Sequence, residues 1–176
     1  MMMAMNYFSV LPELNKSVEG KLRRKLRLRR IDAVPVSTLA SHMLASGLSV
    51  EVVTESPDKF WRFLRETNLD NYEQQQKAYV HAKHVGVDFS FDAITPDRII
   101  QMLDNSNLVI CGIDLGFGVK HAILLYGYKD GEFLAIDPMS GETVYTPEKL
   151  MQESDLDTGR WIVSVSGVKR TSYKTN

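Results

Sequence analysis

Apolar positions recur along this chain with two different periods, and the change from one to the other divides it. In the first part the period is helical. Leu14, Val18, Leu22 and Leu26 return every fourth residue, which gives an amphipathic helix one apolar stripe. Ser37 is placed to cap a second helix carrying Leu39, Met43 and Leu44, and Gly47 ends it before a strand from Leu48 to Val53. Ser56-Pro57 opens a third helix with Phe60, Phe63 and Leu64 inward, and a fourth runs from about Tyr72 to His84, where Gly86 stops it. Thr95-Pro96 begins a short helix through Ile99, Ile100 and Leu103. Strand patterning then takes over. An apolar strand, Leu108 to Leu115, leads through Gly116-Phe117-Gly118 into two further apolar runs; Thr146-Pro147 starts a last helix, and Trp161 to Ser166 is a closing strand. Helices first and an antiparallel sheet after predict an α+β architecture, with residues 1–176 in a single domain uninterrupted by repeats or linkers.

The two central runs, Lys120 to Tyr128 and Glu132 to Pro138, flank Lys129-Asp130-Gly131 and read as a β-hairpin, since Gly131 can take the left-handed conformation that closes a three-residue loop. The register follows from the loop. Tyr128 then pairs with Glu132, Ile123 with Asp137 and His121 with Met139, so His121, Ile123 and Leu125 share a face with Phe133, Ala135 and Asp137. His121 and Asp137 become diagonal neighbours with Cβ atoms roughly 7 Å apart, within reach of an imidazole–carboxylate hydrogen bond. A two-residue loop would put them on opposite faces. A carboxylate holding one ring nitrogen of a histidine orients a general base for nucleophilic catalysis; a strand-start histidine and a strand-end Asp-Pro also occur as plain structural features.

Composition alters this picture little: 44% hydrophobic and 24% charged residues are ordinary for a globular chain. The single cysteine excludes an internal disulfide framework and fits a reducing compartment, and no apolar run approaches the ~20 residues that span a bilayer. The first lysine is Lys16, so the amino terminus lacks the charged lead of a secretory signal peptide, and the expected location is the cytoplasm. Charge is uneven. Residues 1–30 hold eight Lys or Arg against Glu13 and Glu19, a balance of +6, while the rest of the chain carries −7. The run Lys21 to Arg30 has the charge of a nucleic-acid or acidic-membrane patch, but the regular leucine stripe beneath it and the lack of interleaved aromatics favour a solvated helix face. Neither nucleic acid nor a membrane is an expected partner.

Other candidate chemistry is thinner. His81 and His84 stand i, i+3 on one helical face, yet no third ligand with recognisable spacing accompanies them, so no metal and no cofactor is expected. His42 reads as packed or solvated, and Trp61 and Tyr79 as packing residues. Cys111 falls in the strand beside the histidine strand. If Leu115 opposes His121, Cys111 lies opposite Leu125, roughly 13 Å from the imidazole at ~3.3 Å per residue, and reads as a buried structural thiol.

The run His121-Ala122, Gly127-Tyr128 and Asp137-Pro138 resembles the last sheet of the papain-like cysteine peptidases of the bacteriocin-leader-processing (double-glycine leader) type. The likeness extends upstream through Leu39-Ala40, Gly47 and Leu48 to Val53, and covers most of the chain to about Leu150. It is most similar to a bacterial subgroup with a basic helix ahead of a Leu-Ala-rich one. The resemblance implies a helical lobe facing a sheet lobe across a groove that takes a peptide or amide substrate, with His121 and Asp137 as catalytic residues. It also implies a nucleophilic cysteine in a Cys-Gly-Pro turn at the start of the first long helix, which this sequence does not contain. Ser9 and Ser17 lack that Gly-Pro context. Met1 to Phe8 resembles the continuation of the family helix without its opening, so the expectation is a thiol peptidase or acyl-transfer lineage whose nucleophile segment lies upstream of Met1, inactive as written. The alternative is a non-enzymatic peptide-binding or regulatory module.

Overall fold

The computed structural model describes residues 36–59, 61–62, 69–105, 107–114, 120–154 and 159–167. The basic helix, Ser9, Ser17, the Met1 to Phe8 segment, Phe63, Leu64 and the Leu115 to Gly118 link lie outside them. The described elements are α1 (Val36–Ala45), β1 (Ser49–Thr54), α2 (Leu69–His84), β2 (Asp88–Phe91), α3 (Pro96–Asp104), β3 (Leu108–Asp114), β4 (Lys120–Lys129), β5 (Glu132–Asp137), β6 (Gly141–Tyr145), α4 (Pro147–Glu153) and β7 (Trp161–Ser166). This is a mixed α+β fold built on one seven-stranded sheet, in the order β2-β1-β7-β3-β4-β5-β6.

The chain-closing strand β7 is central rather than peripheral. It runs antiparallel to both β1 and β3, matching Val163 with Val52 on one side and with Ile110 on the other. Its burial explains the composition, because Ile162, Val163 and Val165 are inaccessible on both faces. Two strands were not legible in advance. β2 pairs with β1 in parallel, so the sheet is not wholly antiparallel, and the short β6 pairs with β5. Each carries polar or exposed residues at most positions, as edge strands do, and so lacks a hydrophobic signature.

The described helices are divided between the two faces of the sheet. Ala40 and Met43 of α1 and Ala82 of α2 pack with Val50, Val52, Ile110, Leu124, Val163 and Val165. Ile99, Met102 and Leu103 of α3 and Leu150 of α4 pack on the other face with Val109, Ile113, Ile123, Leu125, Phe133, Ala135 and Ile162. Alternation along each strand feeds both cores. The starts of α3 and α4 follow from their sequence, since Thr95 and Thr146 each accept a hydrogen bond from the amide three residues on, with proline behind the cap. Ser37 does not cap. It lies buried inside α1, where its carbonyl accepts the Ser41 hydroxyl at 2.8 Å.

On the α1 and α2 side, Trp161 lies over Gly112, where a β-carbon would meet the indole at 2.6 Å. That close approach requires glycine. Trp61 and Tyr79 pack edge-on at 5.6 Å, and Tyr79 does the same against Phe89.

Candidate functional site

Two turns and one irregularity place His121 and Asp137. Between β4 and β5 the loop has two residues, not three: Lys129 pairs with Glu132 and Tyr128 with Phe133. Asp130 and Gly131 have φ of 53° and 86°, the positive pair that a tight type I′ hairpin demands. Asp-Gly tolerates it and Lys129 is thereby returned to the strand. On its own this loop would set His121 and Asp137 on opposite faces. The register shifts between Leu125 and Gly127, however, so that Leu125 meets Ala135 and Leu124 meets Ile136. Tyr126 is the extra residue of this β-bulge, and it moves everything before it by one position. Continued to the strand ends, the shifted register sets Ile123 beside Asp137. His121 and Asp137 thus share the α3 and α4 face of the sheet.

There Nε2 of His121 lies 2.9 Å from Oδ1 of Asp137, with the two side chains only 15% and 12% exposed. The same Oδ1 accepts the backbone N–H of Met139 at 2.6 Å. Burial pushes the Asp137 carboxyl up, but the Met139 amide, the His121 contact and Ser140 together outweigh it and hold the group below the usual aspartate value. An ionised carboxylate fixed in this way accepts a proton-bearing Nε2 and leaves the lone pair on Nδ1, which makes Nδ1 the basic nitrogen.

Cys111 sits nearer to this pair than strand counting expected. Ile113, not Leu115, opposes His121, and Cys111 opposes Ile123, not Leu125. The two-position slip replaces the expected 13 Å by a diagonal placement on the same face, roughly 7 Å between β-carbons. Its environment is that of a core residue. Cys111 is fully buried between β4 and Ile162 of β7, and burial pushes its thiol up to about 12, with the Arg160 charge opposing only in part. A thiol held that far above neutrality is not a nucleophile.

Tyr145, which the sequence did not single out, ends β6 opposite Phe133 on the same face. Burial first, and then the negative charges of Glu153 and Asp137, push its phenol up. Met139 was likewise missed as a partner, although an Asp followed by Pro, Ser and Gly is turn chemistry in which the carboxylate captures a nearby amide. His81 and His84 are exposed on α2, and among the described residues no group of three His, Cys, Asp or Glu is arranged to hold a metal ion. His42 is half-buried in α1. No described helix is long and apolar enough to cross a membrane.

No protein-family model matches the chain, and no curated protein matches it. Among solved structures, the crystal structure of the Pseudomonas avirulence protein AvrPphB is similar over 61% of this chain and 70% of that one, at 13% identity and a TM-score of 0.27. A likeness at that level is too distant to assign either family or activity.

Proposed function

We propose that this chain is a cysteine-peptidase-like domain of papain-like type, with a thiol-peptidase or amide/acyl-transfer lineage, in which His121 is the base and Asp137 its orienting carboxylate. The observation that supports this reading is the 2.9 Å contact between Nε2 and Oδ1, made between half-buried side chains with the carboxylate further anchored by the Met139 amide. In the proposed reaction Nδ1 takes the proton of a cysteine thiol and the thiolate attacks an amide carbonyl of a peptide lying in the groove. The imidazolium returns its proton to the leaving amine as the C–N bond breaks, and Nδ1 then deprotonates the water that hydrolyses the thioester. Asp137 stays ionised throughout. The thiol is not Cys111, which is buried and protonated. This reading assigns it to a Cys-Gly-Pro turn preceding residue 1, where unpaired amides and the helix dipole would favour thiolate.

A second reading is a peptide-binding or regulatory module without chemistry. The observation that favours it is that the only thiol among these 176 residues is the buried Cys111. Translation of the genomic DNA upstream of Met1, followed by assay of the extended and the 176-residue proteins on generic peptide and amide substrates, separates the two. The first reading expects cleavage by the extended protein and its loss in His121→Ala. An in-frame stop codon directly before Met1, or peptide retention without cleavage by the extended protein, would leave the second.

A further inference from the structure

The core on the α1 and α2 face of the sheet is not closed. A cavity of about 50 Å³ lies between α1, α2 and the strands β1, β2 and β7, walled by the rings of Trp61, Tyr79, Phe89 and Trp161. Neighbouring walls are steeply inclined, with Trp61 on Tyr79 at 71° and Tyr79 on Phe89 at 70°. Two polar side chains share this lining. Gln75 of α2 and Ser37 of α1 are each 8% exposed, and neither the Gln75 carboxamide nor the Ser37 hydroxyl makes a hydrogen bond with a described residue. Buried polar groups are as a rule satisfied, because leaving one unpaired costs its desolvation. No charged side chain of a described residue lines the cavity. Trp61 and Tyr79 also border a wider, open cleft of about 900 Å³ that follows α2 past Tyr72, Val80 and His84.

We propose that this cavity is a recognition pocket for the side-chain carboxamide of an asparagine, carried by a peptide that lies in the cleft along α2. Size is the first criterion. At the roughly 10–15 Å³ that one water-sized position needs, 50 Å³ holds about four non-hydrogen atoms, which an asparagine side chain supplies, whereas a benzene-sized ring needs about three times the space. Polarity is the second. Gln75 offers N–H donors and a carbonyl acceptor, and the group that complements both at once is another amide, with Ser37 left to pair its outer edge. A carboxylate of the same shape would enter an uncharged cavity without a counter-ion, and a leucine side chain would leave Gln75 and Ser37 unsatisfied. Water is the poorer occupant, since aromatic carbon denies it the roughly two to four polar partners each molecule needs. The cleft gives the peptide backbone room within the usual size of a ligand site, and Val80, 65% exposed, gives it apolar surface. Val52, Phe89 and Trp161 place the cavity on the face opposite His121 and Asp137, so the inference does not rest on the catalytic reading.

The test titrates the 176-residue protein with three tripeptides, each acetylated and closed as the N-methylamide: alanine-asparagine-alanine and its counterparts with aspartate or leucine in the middle. Acetamide serves as the free small amide. Binding is read by NMR from the side-chain amide protons of Gln75. The asparagine peptide is expected to shift those protons and to bind about tenfold more tightly than either counterpart, the discrimination that one to two net hydrogen bonds provide. It should also bind more tightly than acetamide, because the cleft holds its backbone. Gln75→Leu, which fills the same space without polar atoms, is expected to keep the melting temperature and to abolish the preference for asparagine. Equal affinity for the three peptides, tighter binding of acetamide than of the asparagine peptide, or Gln75 protons that contact only long-lived water at every peptide concentration would overturn the proposal. The titration of the unsubstituted protein decides the matter even where Gln75→Leu fails to fold.

Discussion

Asp137 and Cys111 lie on one face of the sheet, two strands apart, and their surroundings push them in opposite directions. Asp137 has donors on its carboxylate, so the charged form is favoured and its proton affinity falls. The consequence for stability has a definite sign. A carboxyl lowered in the folded state stabilises the fold above its ordinary value of 3.8, and that contribution is lost as the pH falls through the lowered value. Asp137→Asn should therefore lower the urea midpoint at neutral pH, and the gap from wild type should close as the solution is acidified below the ordinary carboxylate range. Cys111 has neither solvent nor a donor network, and its thiol, pushed up to about 12, stays protonated at neutral pH. A thiol-specific reagent at pH 8 is expected to leave Cys111 unlabelled in the folded protein and to label it once urea unfolds the chain. Cys111→Ala should cost on the order of 1 kcal/mol and spare any activity; loss of activity with the fold intact would show that this thiol is used. At this scale His121 and Asp137 could be read from alternation within two short runs. Met139 could not be linked to them, because a backbone amide carries no pattern.

The hairpin of β4 and β5 shows how an element can reach an expected pairing by an unexpected path. A three-residue loop and a regular ladder would bring Leu125 opposite Ala135. The protein instead uses a two-residue Asp130-Gly131 turn and the bulge at Tyr126, with the same result beyond the bulge. Because side chains alternate with period two, one extra residue in the loop and one in the strand are equivalent for everything upstream. Deleting Tyr126 should place His121 on the face opposite Asp137 and drive Ile123 and Leu125 out of their core. Deleting Tyr126 while inserting one residue into the Asp130-Gly131 turn should restore the pairing. Cross-strand proton contacts by NMR, or thermal stability, report both variants, and equal stability of the two would count against the bulge as the register device. Bulges are invisible to periodicity here because Tyr126 and Gly127 fit a continuous strand equally well.

For the whole molecule, the sheet carries a separate core on each face, and the candidate site lies on the α3 and α4 side. Phe133 is the largest fully buried side chain of that core and packs at 5.0 Å from the Tyr128 ring. Phe133→Ala is expected to cost about 3–5 kcal/mol by denaturant unfolding, whereas the same truncation at exposed Val144 should stay within about 0.5 kcal/mol. The sequence by itself determined where the helices α3 and α4 begin, because Thr-Pro at both starts is a local signal that needs no partner. It also determined the apolar strands β3, β4, β5 and β7, and the existence of the central hairpin, because their alternation and their Asp-Gly turn are local as well. Only the tertiary structure decided that β7 lies in the middle of the sheet, that β2 joins it in parallel, that helices cover both faces, and that Cys111 opposes Ile123. Strand order and inter-strand register are set by which apolar faces bury one another across long stretches of chain, and a sliding pattern leaves several alignments equal until the cores close.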